Sequence, residues 1–221
     1  MSQRATTVLT ISRHLGSGGS YIGQEVARRL GMRYADREIL RGAAASLGAN
    51  EADLEAREET VVGFWESVLR SFSLGGADTT FAPPSLAAVY ERDVFALESR
   101  VIREIASRFD AVIVGRCGFH VLADHPGTIN VMVHAPKAWR RERVMQVFGI
   151  AEAAQADELI ERSDFQRGRF IRTFTGREWT DALAFHLCID TSLTGLDLAS
   201  DLVTSLVSRG RKRLAGSAGG A

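Results

Sequence analysis

Short apolar runs alternate along this chain with longer stretches whose apolar residues fall at helical spacing. Thr7-Val8-Leu9-Thr10-Ile11 is brief and β-branched, and Gly16-Ser17-Gly18-Gly19-Ser20 follows almost at once. That order predicts a buried strand entering a glycine turn. Beyond Ser20, the residues Ile22, Val26, Ala27 and Leu30 recur with the period of a helix, and Gly31 stands where a C-cap glycine would end it. Strand, glycine loop and helix in this order open a βαβ unit.

A second short strand is expected at Met32 to Tyr34, ahead of Asp36-Arg37 and a helix reaching about Ser46. The acidic residues within 50–60 predict the start of another helix. From Gly63 to Pro84 the periodicity weakens among aromatics, glycines, threonines and a Pro-Pro pair, which reads as a flexible excursion. Val89, Val94, Leu97, Val101 and Ile105 then mark a long amphipathic helix. Ala111-Val112-Ile113-Val114 is apolar throughout, as a central parallel strand would be. Ile129 to Val133 is a further strand, followed by a helix from Ala138 to Phe148 and a charged, arginine-rich stretch over 150–180. The last strand falls near Phe185 to Ile189, with a helix from about Leu196 to Ser208. Residues 209–221, basic and then Gly/Ala-rich, are expected to form a disordered tail. Strands alternating with helices predict a mostly parallel, doubly wound α/β sheet. No internal repeat is visible.

Composition changes this picture at a few points only. A chain of 221 residues holds one substantial core with room for a small mobile subdomain. With 24% charged residues and a formal net charge of zero, nothing favours nucleic acid or a membrane surface as partner. Lys137 and Lys212 are the only lysines, so 25 of the 27 basic residues are arginines. An anionic ligand must therefore be held by guanidinium groups and backbone amides. The two cysteines, Cys117 and Cys188, and the five histidines show no metal-ligand spacing. No apolar run approaches the ~18 residues of a membrane span and no signal-peptide core is present, which favours a soluble cytoplasmic protein.

The candidate chemistry begins in the glycine loop. A phosphate-binding loop of pattern G-x-x-x-x-G-K-[ST] turns successive backbone N–H groups onto phosphate oxygens, and the helix behind it adds its dipole. Here the segment is Arg13-His14-Leu15-Gly16-Ser17-Gly18-Gly19-Ser20. Aligned on the last serine, Gly18 fits the second glycine and Ser20 the magnesium-binding hydroxyl. Arg13 takes the place of the first glycine and Gly19 that of the lysine. The alternative is a ligand-free strand-to-helix turn, but the position between the first strand and a helix favours the phosphate loop. Arg13 is the candidate for the missing charge, because guanidinium binds phosphate bidentately.

Several blocks then form a familiar series. They are Ile11-Ser12-Arg13, the glycines and Ser20, Tyr34-Ala35-Asp36-Arg37-Glu38, and Val112-Ile113-Val114-Gly115-Arg116. Asp164-x-x-Arg167, Phe174-Thr175-Gly176-x-x-Trp179 and Leu187-Cys188-Ile189-Asp190-Thr191-Ser192 complete it. In these blocks, spanning about residues 7 to 206, the chain resembles the cytidylate kinase-like family. The resemblance implies a nucleoside monophosphate kinase fold: a five-stranded parallel core, an acceptor-binding region over about 36–95 and a lid over about 150–180. It implies ATP and Mg²⁺ as cofactors, with Gly16, Ser17, Gly18, Gly19 and Ser20 around the donor phosphates and Ser20 on the metal. Asp36 and Arg37 would lie where the acceptor sits, Arg116 would hold the acceptor phosphate, and Asp164 and Arg167 would close over both. Arg13, Arg116, Asp164 and Arg167 are thus the candidate catalytic set, working by position and charge rather than through a covalent intermediate.

Two positions depart from the family's pattern: the loop lysine is absent, and Val114 stands where an acidic residue precedes the Gly-Arg pair. They leave two readings open. One is phosphoryl transfer to CMP, dCMP or a related small acceptor. The other is a nucleotide- or phosphate-binding protein that keeps the fold without the chemistry. Trp179 reads as a packing residue, Arg162, Arg169 and Arg172 as a solvated helix face, and His14 and Cys117 as poor candidates for chemistry. The helix over 86–108 reads as core packing, with Tyr90 and Phe95 as an alternative face for a homodimer.

Overall fold

The structure, a computed structural model, describes residues 6–37, 39–40, 42–43 and 88–217. Among these, five strands form one parallel sheet: β1 (Val8–Arg13), β2 (Arg33–Ala35), β3 (Ala111–Val114), β4 (Thr128–His134) and β5 (Leu187–Asp190). Their order across the sheet is β2-β3-β1-β4-β5, with every neighbouring pair parallel. The expected α/β class and five-stranded core are both present. Each predicted strand lies within a few residues of its observed bounds.

Alternation along the inner strands divides the core between the two faces of the sheet. Val8, Ala111 and Ile113 pack with Val101, Ile102 and Ile105 of α2 (Ala88–Arg108) and with Phe119 of the short α3 (Gly118–Val121). Leu9, Ile11, Val112 and Val114 face the other way. There they meet Ile22 and Val26 of α1 (Gly19–Leu30) and Ala199, Val203 and Val207 of α6 (Thr191–Ser217). Burial on both faces explains why these strands read as unbroken apolar runs, each fully buried Leu, Ile or Val contributing about 1.5–3 kcal/mol. The exceptions are satisfied in place: the Thr10 hydroxyl donates to Asn130 Oδ1 at 2.7 Å across β1 and β4.

At α1 the C-cap appears as expected, with Gly31 left-handed at φ 61° and its N–H donated to the Ala27 carbonyl. The charged stretch after β4 is two helices, α4 (Lys137–Phe148) and α5 (Ala153–Thr175), joined by a seam of Val144, Ala156 and Ile160. Left-handed Gly176 ends α5, after which the chain turns back through the buried Trp179.

One expectation fails at the C-terminus. Residues 209–217 continue α6, which bends at non-helical Gly195 and runs on to Ser217. Arg211 is the reason, since it bridges to Asp110 at 3.0 Å and donates to the Leu30 carbonyl at 3.1 Å. Gly210 meanwhile lets the helix lie against Ile129, where a Cβ would come within 2.6 Å of its side chain. The expected helix over 50–60, the excursion over 63–84, Tyr90's side chain and the last four residues of the tail lie outside the description.

Candidate functional site

All five strands point their carboxyl ends to one edge, and the chemistry gathers there, as ligands do in open α/β sheets. The glycine loop leaves β1 and enters α1 through two left-handed residues, Gly16 at φ 81° and Gly18 at φ 84°. Side chains would also be excluded by contact. A Cβ on Gly16 would lie 2.7 Å from the Arg140 carbonyl, one on Gly19 would lie 2.6 Å from Arg13 Cβ, and one on Gly18 would overlap Leu196. Among the described residues no protein acceptor meets the N–H groups of Gly16, Gly18 or Gly19. They are donors at a helix N-terminus, open to solvent or to a ligand. Ser20, the second residue of α1, is buried beside them.

Ser17 has a different part from the one expected. It is fully buried, its hydroxyl donates to the His14 and Val133 carbonyls at 2.9 and 3.0 Å, and its N–H also goes to His14. It shapes the loop instead of facing a ligand. The buried Thr191 hydroxyl supports it from behind, donating to the Ser17 carbonyl at 3.0 Å.

Arg13 runs along the loop. Its stem fills the space beside Gly19, and its guanidinium lies against Gly115 at the end of β3. Only a glycine leaves room for it there. The loop arginine thus reaches from the glycine loop toward Arg116.

Arg116 sits in a turn where Gly115, Arg116 and Cys117 all have positive φ, at 84°, 50° and 56°. A left-handed arginine persists where its surroundings hold it, and two groups do. Glu98 of α2, with no exposed surface, accepts from Arg116 Nε at 2.6 Å and from Nη2. Phe170 of α5 places its ring 4.3 Å from the guanidinium carbon, within cation–π range. Phe170 belongs to an aromatic group in which Phe95 and Phe174 stack at 4.4 Å, so the Phe95 ring packs within this chain.

Asp164 and Arg167 do meet the loop. Asp164 accepts the Leu15 N–H at 3.0 Å and pairs with Arg140 at 2.7 Å, while Arg140 also donates to the Leu15 and Ala135 carbonyls. Arg167 donates to the Arg13 carbonyl at 3.0 Å and stands 4.0 Å from Asp164. Asp164 is thereby a latch between α5 and the loop. Across the sheet, Asp36 accepts the Ile39 N–H ahead of the helical residues 37, 39–40 and 42–43, and both it and Arg37 are half-buried just past β2.

An open cleft of about 230 Å³ lies over the loop, lined by Arg13, His14, Arg143, Arg167, Tyr21 and Phe148 among others. His14 packs edge-on to Trp179 at 4.8 Å, and burial depresses its pKa below the ordinary imidazole value, with Asp164 pulling the other way. Cys117 is buried and its thiol pushed up to about 12, which removes it as a nucleophile.

Sequence reasoning missed Glu98, Arg140 and Arg143. Glu98 had a signal, because it falls on the same helical stripe as Val94, Val101 and Ile105, where an acid needs a buried partner. Arg140 and Arg143 had none beyond their helix.

For magnesium, the Ser20 hydroxyl is the candidate donor among the described residues of the loop. Val114, fully buried, occupies the place of the carboxylate, and among the described residues no cluster of metal-ligating side chains exists. The loop donors and arginines fit a polyphosphate, and a metal would have to arrive on it.

Comparison with known proteins agrees with this geometry. A sequence model of the cytidylate kinase-like family matches residues 8–193. A cytidylate kinase from Ignicoccus hospitalis is 23% identical over 202 residues, covering 91% of this chain and 99% of that protein. Among solved structures, an uncharacterized protein from Eubacterium ventriosum superposes with a TM-score of 0.67 at 19% identity, covering 92% of this chain and 99% of that one. A shikimate kinase from Bacteroides thetaiotaomicron does so with a TM-score of 0.50 at 12% identity, covering 91% and 98%.

Proposed function

The chain belongs to the cytidylate kinase-like family, and from that premise we propose that it transfers a phosphoryl group from ATP to a nucleoside monophosphate of the CMP or dCMP kind, or to a related small acceptor. The observation that carries this reading is the row of unmatched N–H donors at Gly16, Gly18 and Gly19, ending at Ser20 on the head of α1. A polyphosphate is the ligand such a row suits. Arg13 takes up the role of the absent lysine, its guanidinium lying on the path from the donor cradle to Arg116. Arg116 receives the acceptor phosphate, with Asp36 and Arg37 farther along the same edge. Arg167 and the Asp164 latch bring α5 down over the loop.

Two polyanions repel, and arginines held in place offset that repulsion and the charge of the transition state. The Ser20 hydroxyl would help hold a magnesium ion brought in by the nucleotide, and such an ion would supply charge neutralisation there. A cytoplasmic setting suits an ATP-dependent reaction on soluble nucleotides. Steady-state turnover with ATP–Mg²⁺ over a panel of monophosphates tests the proposal: CMP or dCMP should lead the panel, and no transfer to any acceptor would overturn it.

A second reading rests on Val114. With a buried valine in the carboxylate's place and no lysine in the loop, a protein that binds nucleotide without turnover also fits. Isothermal titration separates the two. Binding of ATP–Mg²⁺ that tightens with CMP present favours the kinase, and binding without any turnover favours the second reading.

A further inference from the structure

α4 carries four cations within two turns, and they do not behave alike. Lys137 pairs with Glu161 at 2.5 Å, Arg140 with Asp164 at 2.7 Å and Arg141 with Asp157 at 2.8 Å, all across the seam to α5. Arg143 meets no acid among the described residues. It turns instead into the cleft over the glycine loop, in company with Tyr21, Gln24 and Phe148.

Its place there follows from the close approach of α4 to the loop. Gly16 has no Cβ, and where one would stand the Arg140 carbonyl is 2.7 Å away and Val144 Cγ2 2.8 Å away. Arg143 lies between those two residues in the chain, on the turn that touches the loop. The other arginines of the cleft are engaged: Arg167 donates to the Arg13 carbonyl, and the Arg13 guanidinium has crossed to Gly115.

We infer that Arg143 is a polyphosphate-binding residue, adding from α4 a mobile positive charge at the terminal phosphates of the donor, beside the fixed guanidinium of Arg13. The inference rests on the donor-site reading above and adds a residue that the loop pattern does not contain. A guanidinium on a long stem, held by no carboxylate among the described residues, can follow a charged group through a reaction. Arg13, whose stem is packed against Gly19, is fixed by comparison.

The test is isothermal titration of the full chain with inorganic tripolyphosphate, and separately with ATP–Mg²⁺, at low and at physiological ionic strength. Arg143→Ala should weaken tripolyphosphate binding by about tenfold or more, the usual loss for a charge-assisted contact. Arg143→Lys should restore part of it, and Arg141→Ala, which removes a cation paired across the seam, should change it about twofold at most. Thermal melting of each variant separates a binding loss from a folding loss, and Arg143→Gln replaces the alanine variant if that one melts early.

Unchanged tripolyphosphate binding in Arg143→Ala would overturn the inference and leave the kinase reading standing. A wild-type protein that binds tripolyphosphate through Arg143 but binds no ATP would keep the inference and sink the nucleotide reading. If the wild type binds neither ligand, both fall.

Discussion

Glu98 has no exposed surface, so its carboxylate can stay charged only in company, and Arg116 provides it. The same arginine is the candidate for the acceptor phosphate, which puts a structural and a functional demand on one guanidinium. Removing it strands a buried charge. Arg116→Ala should lower stability by about 3 kcal/mol in urea unfolding, and adding Glu98→Gln should recover much of that loss. His14 makes a second prediction at this scale. Burial, more than any neighbour, holds its folded pKa below the ordinary 6.5. The folded state therefore binds fewer protons than the unfolded one in that window. Its contribution to stability is complete above pH 6.5 and is lost as pH falls through the folded value. His14→Gln should flatten part of the acid-side fall in melting temperature, leaving the share of His120 and His125, which burial shifts the same way. Single residues were unevenly legible in the sequence. The glycine pattern located the loop, because positive φ leaves few other choices. What each charged side chain touches depends on partners as distant as Leu15 and Asp164, and no local spacing records that.

Helices and strands were more legible than side chains, since periodicity is a local property and burial on both faces leaves unbroken apolar runs. Ala111 to Val114 is the example, and Val8 to Ile11 comes near it with Thr10 alone polar. The seam between α4 and α5 was not legible, being set by which charged faces meet. It gives α5 a defined attachment: Asp164 on α5 holds Arg140 on α4 and the loop amide of Leu15 at once. Asp164→Asn keeps one acceptor for the amide but unpairs a buried arginine. We expect a loss of about 2 kcal/mol, with faster hydrogen exchange in α5 measured by mass spectrometry. An unchanged exchange pattern would show that α5 is held by its apolar seam alone. Gly18→Ala acts on the other side of the same junction. A left-handed alanine overlapping Leu196 should destabilise the fold by at least about 1 kcal/mol and abolish tripolyphosphate binding.

For the molecule as a whole, the alternation of strands and helices was enough to give a parallel sheet, whereas the C-terminus misled because a Gly/Ala-rich stretch lacks apolar periodicity. Arg211 and Leu214 supply the hold that composition hides, Arg211 tying α6 to Asp110 and Leu30, and Leu214 lying beside Gly127. Arg211→Ala should cost about 1–2 kcal/mol, and ending the chain at Ser208 should lower the melting temperature further. The latch carries a consequence of another kind, for descent. Arg140 and Asp164 lie on different helices, 24 residues apart in the chain, yet each is the other's ionic partner. A lineage that loses the arginine leaves a carboxylate pressed against a backbone amide and a carbonyl-lined hollow. One that loses the aspartate leaves a hidden cation. Drift at either position is viable only when the other drifts with it, so these two sites should be inherited as a pair across relatives whose surrounding surface has diverged freely.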